Sequence, residues 1–350
     1  AVDIPSGVCA GTGRILGTAF RAELTVSMAC VKAGCELFPG KNCAGETVAV
    51  PIGINPDFFR ENPRVCFTYD QSDIPGLLPV RRADSHKGSY GKVLMITGSS
   101  GMAGACYLSA RAAYAAGAGL VQIYTSEDNR AVIQQLIPEA IVSCYSSYDR
   151  EQLTGLLKWA DVVCIGCGLG RSEDSEKILL HTLKEADIPC IADADGLNIL
   201  SGHMEVLRQR QAPVIMTPHM KEMSRLTGES VAEIAENRIQ AAGKFAEEYG
   251  AVCVLKDSRT VVAQDGHHTF LNLAGNNAMA KAGSGDVLAG VITGLAAQGM
   301  TAFDSAALGV FLHACGGDEA RGEKGAYSVL AQDLIAGIEK VLLKQDRGEE

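Results

Sequence analysis

From Lys87 onward, short apolar runs alternate with longer helical stretches. The runs "KVLMIT" (92–97), "LVQIY" (120–124), "DVVCIG" (161–166), "PCIAD" (189–193), "PVIMT" (213–217) and "AVCVLK" (251–256) are mostly apolar from end to end rather than alternating in polarity. Strands of that kind are buried on both faces. Helical stretches lie between most of them, among them the alanine-rich Ala103–Ala116 and Val231–Tyr249. The alternation predicts an α/β fold, a parallel sheet covered by helices on both faces. Later, "TVVAQDGHHTFLN" sets two strand-like runs either side of Asp265-Gly266, the signal of a tight hairpin.

Residues 1–60 differ in texture. The runs "ELTVSMACV" and "ETVAVPIGI" lie between Gly and Pro turns and are too few to bury a core. The opening "AVDIPSG" reads as a strand end entering a turn, which suggests a chain that starts mid-domain. Pro56, Pro63, Pro75 and Pro79, with charges between them, mark a boundary region, and residues 61–84 are expected to be a linker. The main unit is expected over 85–345.

Small or polar clusters follow the predicted strands: "GSSGMAGA", "GCGLG", "DADGLN" and "PHMKE". In open parallel sheets, ligands bind outside the carboxyl ends of the strands. The clusters therefore converge on one rim.

The stretch "KAGSGDVLAG" (281–290) adds a carboxylate to that picture. Gly283, Ser284 and Gly285 lead into Asp286, and Val287, Leu288, Val291, Ile292 and Leu295 recur behind it at helical spacing. N–H groups at a helix start lack intrahelical partners and favour anions, phosphate above all. Asp286 has two readings here: an N-cap, or a general base beside a loop that holds a transferable phosphoryl group. In "TPHMKEM", His219 and Glu222 follow a strand as capping or as site residues. In "VLKDSRT", Lys256 and Arg259 flank a turn that is either solvated or turned to nucleotide phosphates. "DADGLN" offers two carboxylates to Mg2+ or a ribose, or is a plain turn. No glycine run has P-loop spacing, and "GSSGMAG" fails the dinucleotide fingerprint.

A net charge of -10 gives no global basic footprint for nucleic acid and no attraction to anionic membranes. No apolar run reaches the ~20 residues of a membrane span. The 12 cysteines are scattered, and the close pair Cys164 and Cys167 sits in an apolar strand pattern as packing thiols.

Seven stretches, in order, resemble the ADP/ATP-dependent NAD(P)H-hydrate dehydratase family: "HKGSYGKVLMITGS", "GACYLSARAAYAAGAGLV", "GCGLG", "DADGLN", "TPHMKEMSRL", "VLKDSRTVV" and "GNNAMAKAGSGDVLAGVITGLAAQG". The resemblance implies a ribokinase-like fold and a repair reaction. Hydrated NADH or NADPH loses water from C6 of its nicotinamide ring, driven by hydrolysis of ADP or ATP with Mg2+. It further implies that Asp286 is the base and that Ala105, Gly170, His219 and Asp286 contact the hydrated cofactor. Lys256, Asp257, Ser258, Arg259, Thr260, Gly283, Ser284 and Gly285 are then nucleotide contacts. A cytoplasmic homotetramer is implied as well.

Residues 1–60 resemble the C-terminal part of an NAD(P)H-hydrate epimerase domain, through "VDIPSG", "AELTVSMACVKAG", "FPG" and "VPIGI". This is a partial Rossmann-like remnant. Asp3 matches a cofactor contact and Ser6 a potassium position there, although epimerase activity is not expected without the rest of that domain. Met220-Lys221, Asp257 and Lys281 depart from the usual family residues, and Asp257 repels phosphate unless it points away. Two competing readings share part of this pattern: a small-molecule kinase of the same fold, and a nucleotide-binding protein without turnover.

Overall fold

The computed structural model describes residues 1–347 apart from Pro56 and Pro63, two of the boundary prolines, which lie outside the described residues. Strands β1 (Leu24–Met28) and β2 (Glu46–Val50) pair in parallel as a small separate sheet. The main sheet contains β3 (Lys92–Ile96), β4 (Leu120–Ser126), β5 (Ile141–Tyr145), β6 (Val162–Ile165), β7 (Cys190–Ala192), β8 (Val214–Met216), β9 (Val252–Leu255), β10 (Val261–Ala263) and β11 (Phe270–Leu271). Its order is β11-β10-β9-β8-β7-β6-β3-β4-β5. Neighbours from β5 to β9 are parallel, and β10 and β11 run antiparallel at the edge.

The apolar runs make this sheet because both of its faces are dry. In β3, Val93, Leu94, Met95 and Ile96 are all fully buried. Val93 and Met95 enter one core with Cys106, Ala110, Val287 and Val291. Leu94 and Ile96 enter the opposite core with Leu153, Ile178 and Phe245.

The structure differs from the sequence expectations at three elements. Strand β5 has no counterpart among the expected strands. It is an edge strand of only five residues, and Ser143 interrupts its apolar run. The helix expected over Val231–Tyr249 is two helices, Val231–Glu236 and Arg238–Tyr249, separated at Asn237 (φ -132, ψ 41). Strands β10 and β11 do form a hairpin, with Val261 opposite Leu271, but residues 264–269 make its loop longer than a two-residue turn.

The helix Ser284–Ala297 is buried without interruption from Val287 to Leu295. A Cβ on Gly290 would lie 2.2 Å from the Ser109 carbonyl oxygen, and one on Gly294 would lie 2.5 Å from that of Ala113. The alanine-rich helix Ala103–Ala115 thus meets it backbone to backbone. Within the expected linker, the chain at Phe67 is laid along the sheet edge. The Phe67 N–H donates to the Thr269 carbonyl (3.0 Å), the Leu271 N–H donates to that of Phe67 (2.9 Å), and Ile74 is fully buried.

Gly290→Ala is expected to lower the unfolding free energy by about 1–3 kcal/mol, the usual cost of overpacking. Gly243→Ala, in Arg238–Tyr249 with nothing within 4 Å of the added carbon, should leave stability unchanged or raise it by up to about 1 kcal/mol. Urea midpoints measure both, and equal midpoints would contradict the tight helix contact.

Candidate active site

Gly283 is the N-cap of the buried helix, and its φ of 89 is a left-handed conformation that favours glycine. No side chain caps this helix end, so Asp286 is not its cap. Asp286 stands in the first turn, half-buried, facing the carboxyl ends of β6, β7 and β9. A Cβ on Gly285 would lie 3.6 Å from Lys256 Nζ and 3.7 Å from Asp193 Oδ2. The bare backbone of the glycine therefore faces that pair.

Lys256 follows β9 and Asp193 follows β7. Lys256 Nζ donates to Asp193 Oδ1 at 2.6 Å and lies 3.9 Å from Glu222 Oε2. Burial by itself would push the Lys256 ammonium down, but Asp193 and Glu222 outweigh it, and its pKa is raised. His219 caps the helix Met220–Thr227, its Nδ1 accepting from the N–H groups of Lys221 and Glu222, each at 3.1 Å. The Glu222 carboxylate in turn accepts from the His219 N–H at 2.8 Å. Burial raises the pKa of Glu222 and, helped by Lys256, lowers that of His219.

Burial, then the neighbouring Asp193 charge, raises Asp286 to about 6, against the opposing pull of the Cys167 thiol and Lys256. Cys167 Sγ lies 3.9 Å from Asp193 Oδ2 and is fully buried. The packing role expected for this thiol thus comes with a polar contact. Asp195 accepts from the Gly170 N–H at 3.0 Å, and Ala105 lies under the same loop against Gly168. Ala105, Gly170, His219 and Asp286 therefore belong to one rim.

A cavity of about 620 Å3 opens beside the helix start, lined by Lys256, Asp257, Ser258, Arg259, Thr260, Ser284 and Gly285 among others. The Asp257 carboxylate is held by Arg238 at 2.5 Å, so its charge is paired rather than left to face the cavity. Arg259 donates to the Leu273 carbonyl at 2.7 Å. Lys281 is exposed and donates to the Tyr327 carbonyl at 3.2 Å, while Met220 packs against the core. Asp3 pairs with Lys32 and accepts from the Met28 N–H, and the exposed Ser6 accepts at its carbonyl from Phe20. Both lie in the small module, and none of these partners belongs to the rim.

Sequence reasoning missed His313, whose Nε2 lies 3.3 Å from Ser284 Oγ. Burial lowers its pKa to about 4, so it is neutral at pH 7. It comes from the helix Ala302–Ser328, and no local spacing marks it. Arg238 and the cavity-lining Phe38 were missed for the same reason. Among the described residues, no group of three or more His, Cys, Asp or Glu side chains is placed to hold a metal ion. Nor is any described helix long and apolar enough to cross a membrane.

The sheet order, the buried central helix and the cavity at its head define a ribokinase-like protein. The NAD(P)H-hydrate dehydratase family model matches residues 93–340, and that of the YjeF-related protein N-terminus matches residues 1–34. The chain belongs to the NAD(P)H-hydrate dehydratase family. It is 38% identical to the bifunctional NAD(P)H-hydrate repair enzyme Nnr of Moorella thermoacetica, over 98% of this chain and 66% of that protein. With the Coxiella burnetii enzyme of the same name it shares 39% identity over 96% of this chain and 67% of the relative. It thus spans about two thirds of the length of these relatives. The ADP/ATP-dependent NAD(P)H-hydrate dehydratase of Bacillus subtilis, co-crystallised with ATP/Mg2+, superposes with a TM-score of 0.72 at 32% identity, covering 79% of this chain and 98% of that one.

The Asp286 carboxyl is expected to titrate near pH 6 by carbon-13 NMR. Asp193→Asn removes a like charge, so the titration should move to lower pH. An unmoved or higher midpoint would show that Asp193 does not set it.

Proposed function

We propose that this chain dehydrates hydrated NADH or NADPH at the expense of ADP or ATP, and that Asp286 is its base. The observation that carries this reading is the pairing of a carboxylate tuned to about 6 with an anion-favouring helix start in the same turn. A base of that pKa is mostly ionised at neutral pH yet still takes protons well. Residues 85–345 are the dehydratase unit in this reading, 61–84 the connection, and 1–60 an epimerase-type module. Asp3 would be a cofactor contact and Ser6 a K+ ligand of that module, and the dehydration uses neither.

Hydroxide is a poor leaving group, so the hydroxyl is first converted to a phosphate ester. Asp286 takes the proton of the C6 hydroxyl as its oxygen attacks the terminal phosphorus. The bond to the bridging oxygen breaks, leaving AMP from ADP or ADP from ATP. The N–H groups of Gly283 and Gly285, with the Lys256 ammonium, would face the charge that builds on the phosphoryl oxygens, since the Ser284 N–H donates to the Lys281 carbonyl. The C6–O bond then breaks with help from the ring nitrogen lone pair. Phosphate leaves in that step, and transfer of a proton from C5 to the departing phosphate or to water restores the C5=C6 double bond. Ala105, Gly170 and His219 would hold the hydrated ring against the rim, and Lys256 to Thr260 the nucleotide.

The residues present fit a Mg2+ ion carried mainly by phosphate. The rim offers single carboxylates rather than a cage, Asp193 among them already paired with Lys256, and Mg2+ commonly binds through one or two carboxylates plus substrate phosphates. The ion would neutralise phosphate charge that Lys256 alone does not balance. All 12 cysteines are free thiols, which accords with the proposed cytoplasmic location.

Hydrated NADH incubated with the protein, Mg2+ and either ADP or ATP should recover absorbance at 340 nm. No recovery with either nucleotide, from folded protein, would overturn the proposal. Asp286→Asn should cut turnover by roughly 10²–10⁴-fold, the usual share of a general base, and leave nucleotide affinity nearly unchanged by calorimetry. Full activity in that variant would exclude Asp286 as the base.

A further inference from the structure

The cavity beside the helix start is not walled by the dehydratase unit alone. Phe38, from the small N-terminal module, is part of its lining. Two arginines fix the segment around Phe38 to the turn that carries Lys256. Arg238 donates through Nη2 to the Phe38 carbonyl at 3.0 Å, while its Nη1 holds Asp257. Arg259 donates through Nε to the Glu36 carbonyl at 3.2 Å, and its guanidinium carbon lies 5.7 Å from the Phe38 ring centroid. Leu37, between them, is buried in the same core as Leu94 and Phe245. The ring is therefore held in place from both sides along the chain.

Lys256, Ser284 and Gly285 define the phosphate end of this cavity. A nucleobase bound there with its phosphates must lie further along. It is a flat body that gains most by stacking on an aromatic face. Among the described lining residues, Phe38 carries the only benzene ring, and the other aromatic ring, that of His313, lies against Ser284 at the phosphate end. The Phe38 ring lies beside Arg259, at the other side of the turn from Lys256, with the Arg259 guanidinium carbon 5.7 Å from its centroid.

We propose that the Phe38 ring is the base-facing wall of the nucleotide cavity, which makes the N-terminal module a working part of the dehydratase site. The ligand class is an adenine nucleotide, and the inference rests on the nucleotide reading above. By linkage, a bound base also tightens the module against the dehydratase unit.

Calorimetric titration of the full chain with Mg2+–ATP and with Mg2+–triphosphate, which has no base, separates the two ends. Phe38→Ala should weaken ATP roughly tenfold, as expected for a lost base–aromatic stack, and change triphosphate by less than about twofold. Phe38→Tyr should restore ATP to near the original affinity. Unchanged ATP affinity in Phe38→Ala, or an equal loss for both ligands, overturns the wall. If the unaltered chain binds neither ligand, the nucleotide reading fails first and takes this inference with it. Should Phe38→Ala not fold, Phe38→Leu, which keeps bulk without a ring, is judged by the same two titrations.

Discussion

One ammonium, that of Lys256, faces the carboxylates of Asp193, Glu222 and Asp286 at the edge of a dry sheet. Asp193 is in direct contact and takes most of that positive charge. Glu222 and Asp286 are left to respond, and burial raises both of their pKa values. His219 is driven the other way, first by burial and then by Lys256. The protonation states of the rim thus follow from one charge imbalance in a poorly solvated place. In the proposed reaction a polyphosphate entering the rim would add negative charge, which backbone N–H groups and a phosphate-borne cation would have to offset.

What was legible in the sequence was what repeats locally. Buried parallel strands are apolar throughout, and their ends carry small or polar clusters, so six strands and the rim stood out. Asp286 was visible as a carboxylate at a helix start, but its two readings were separable only by the backbone. Gly283 takes the cap position, and the carboxylate is free to face Lys256. What stayed hidden depends on partners distant in sequence. Arg238 answers Asp257 from the far end of another helix, and His313 reaches Ser284 from a buried run that looks like ordinary core. The break at Asn237 is hidden too, because the apolar period continues across it.

The N-terminal module looks separate in composition and is joined in energetics. A cavity of about 830 Å3 lies between it and the main unit, lined by Lys32 and Glu36 on one side and Arg238 and Leu271 on the other. Around that gap, the buried guanidinium of Arg238 and the side chain of Leu37 tie the two together. The division of the chain by texture at about residue 60 is therefore not a division by cohesion.

The contact between Ser284–Ala297 and Ala103–Ala115 bears on how finely Asp286 is placed. Side chains between helices can change rotamer and let the helices slide. At Gly290 and Gly294 the facing helix presents backbone and the methyls of Ala112 and Ala116, which have no rotamers, so the usual means of adjustment is absent. The helix that carries the carboxylate is registered against its neighbour by backbone and alanine methyls at these two positions. Its first turn, and Asp286 with it, is thereby held against the carboxyl ends of the strands by contacts that no side-chain rotation can relax.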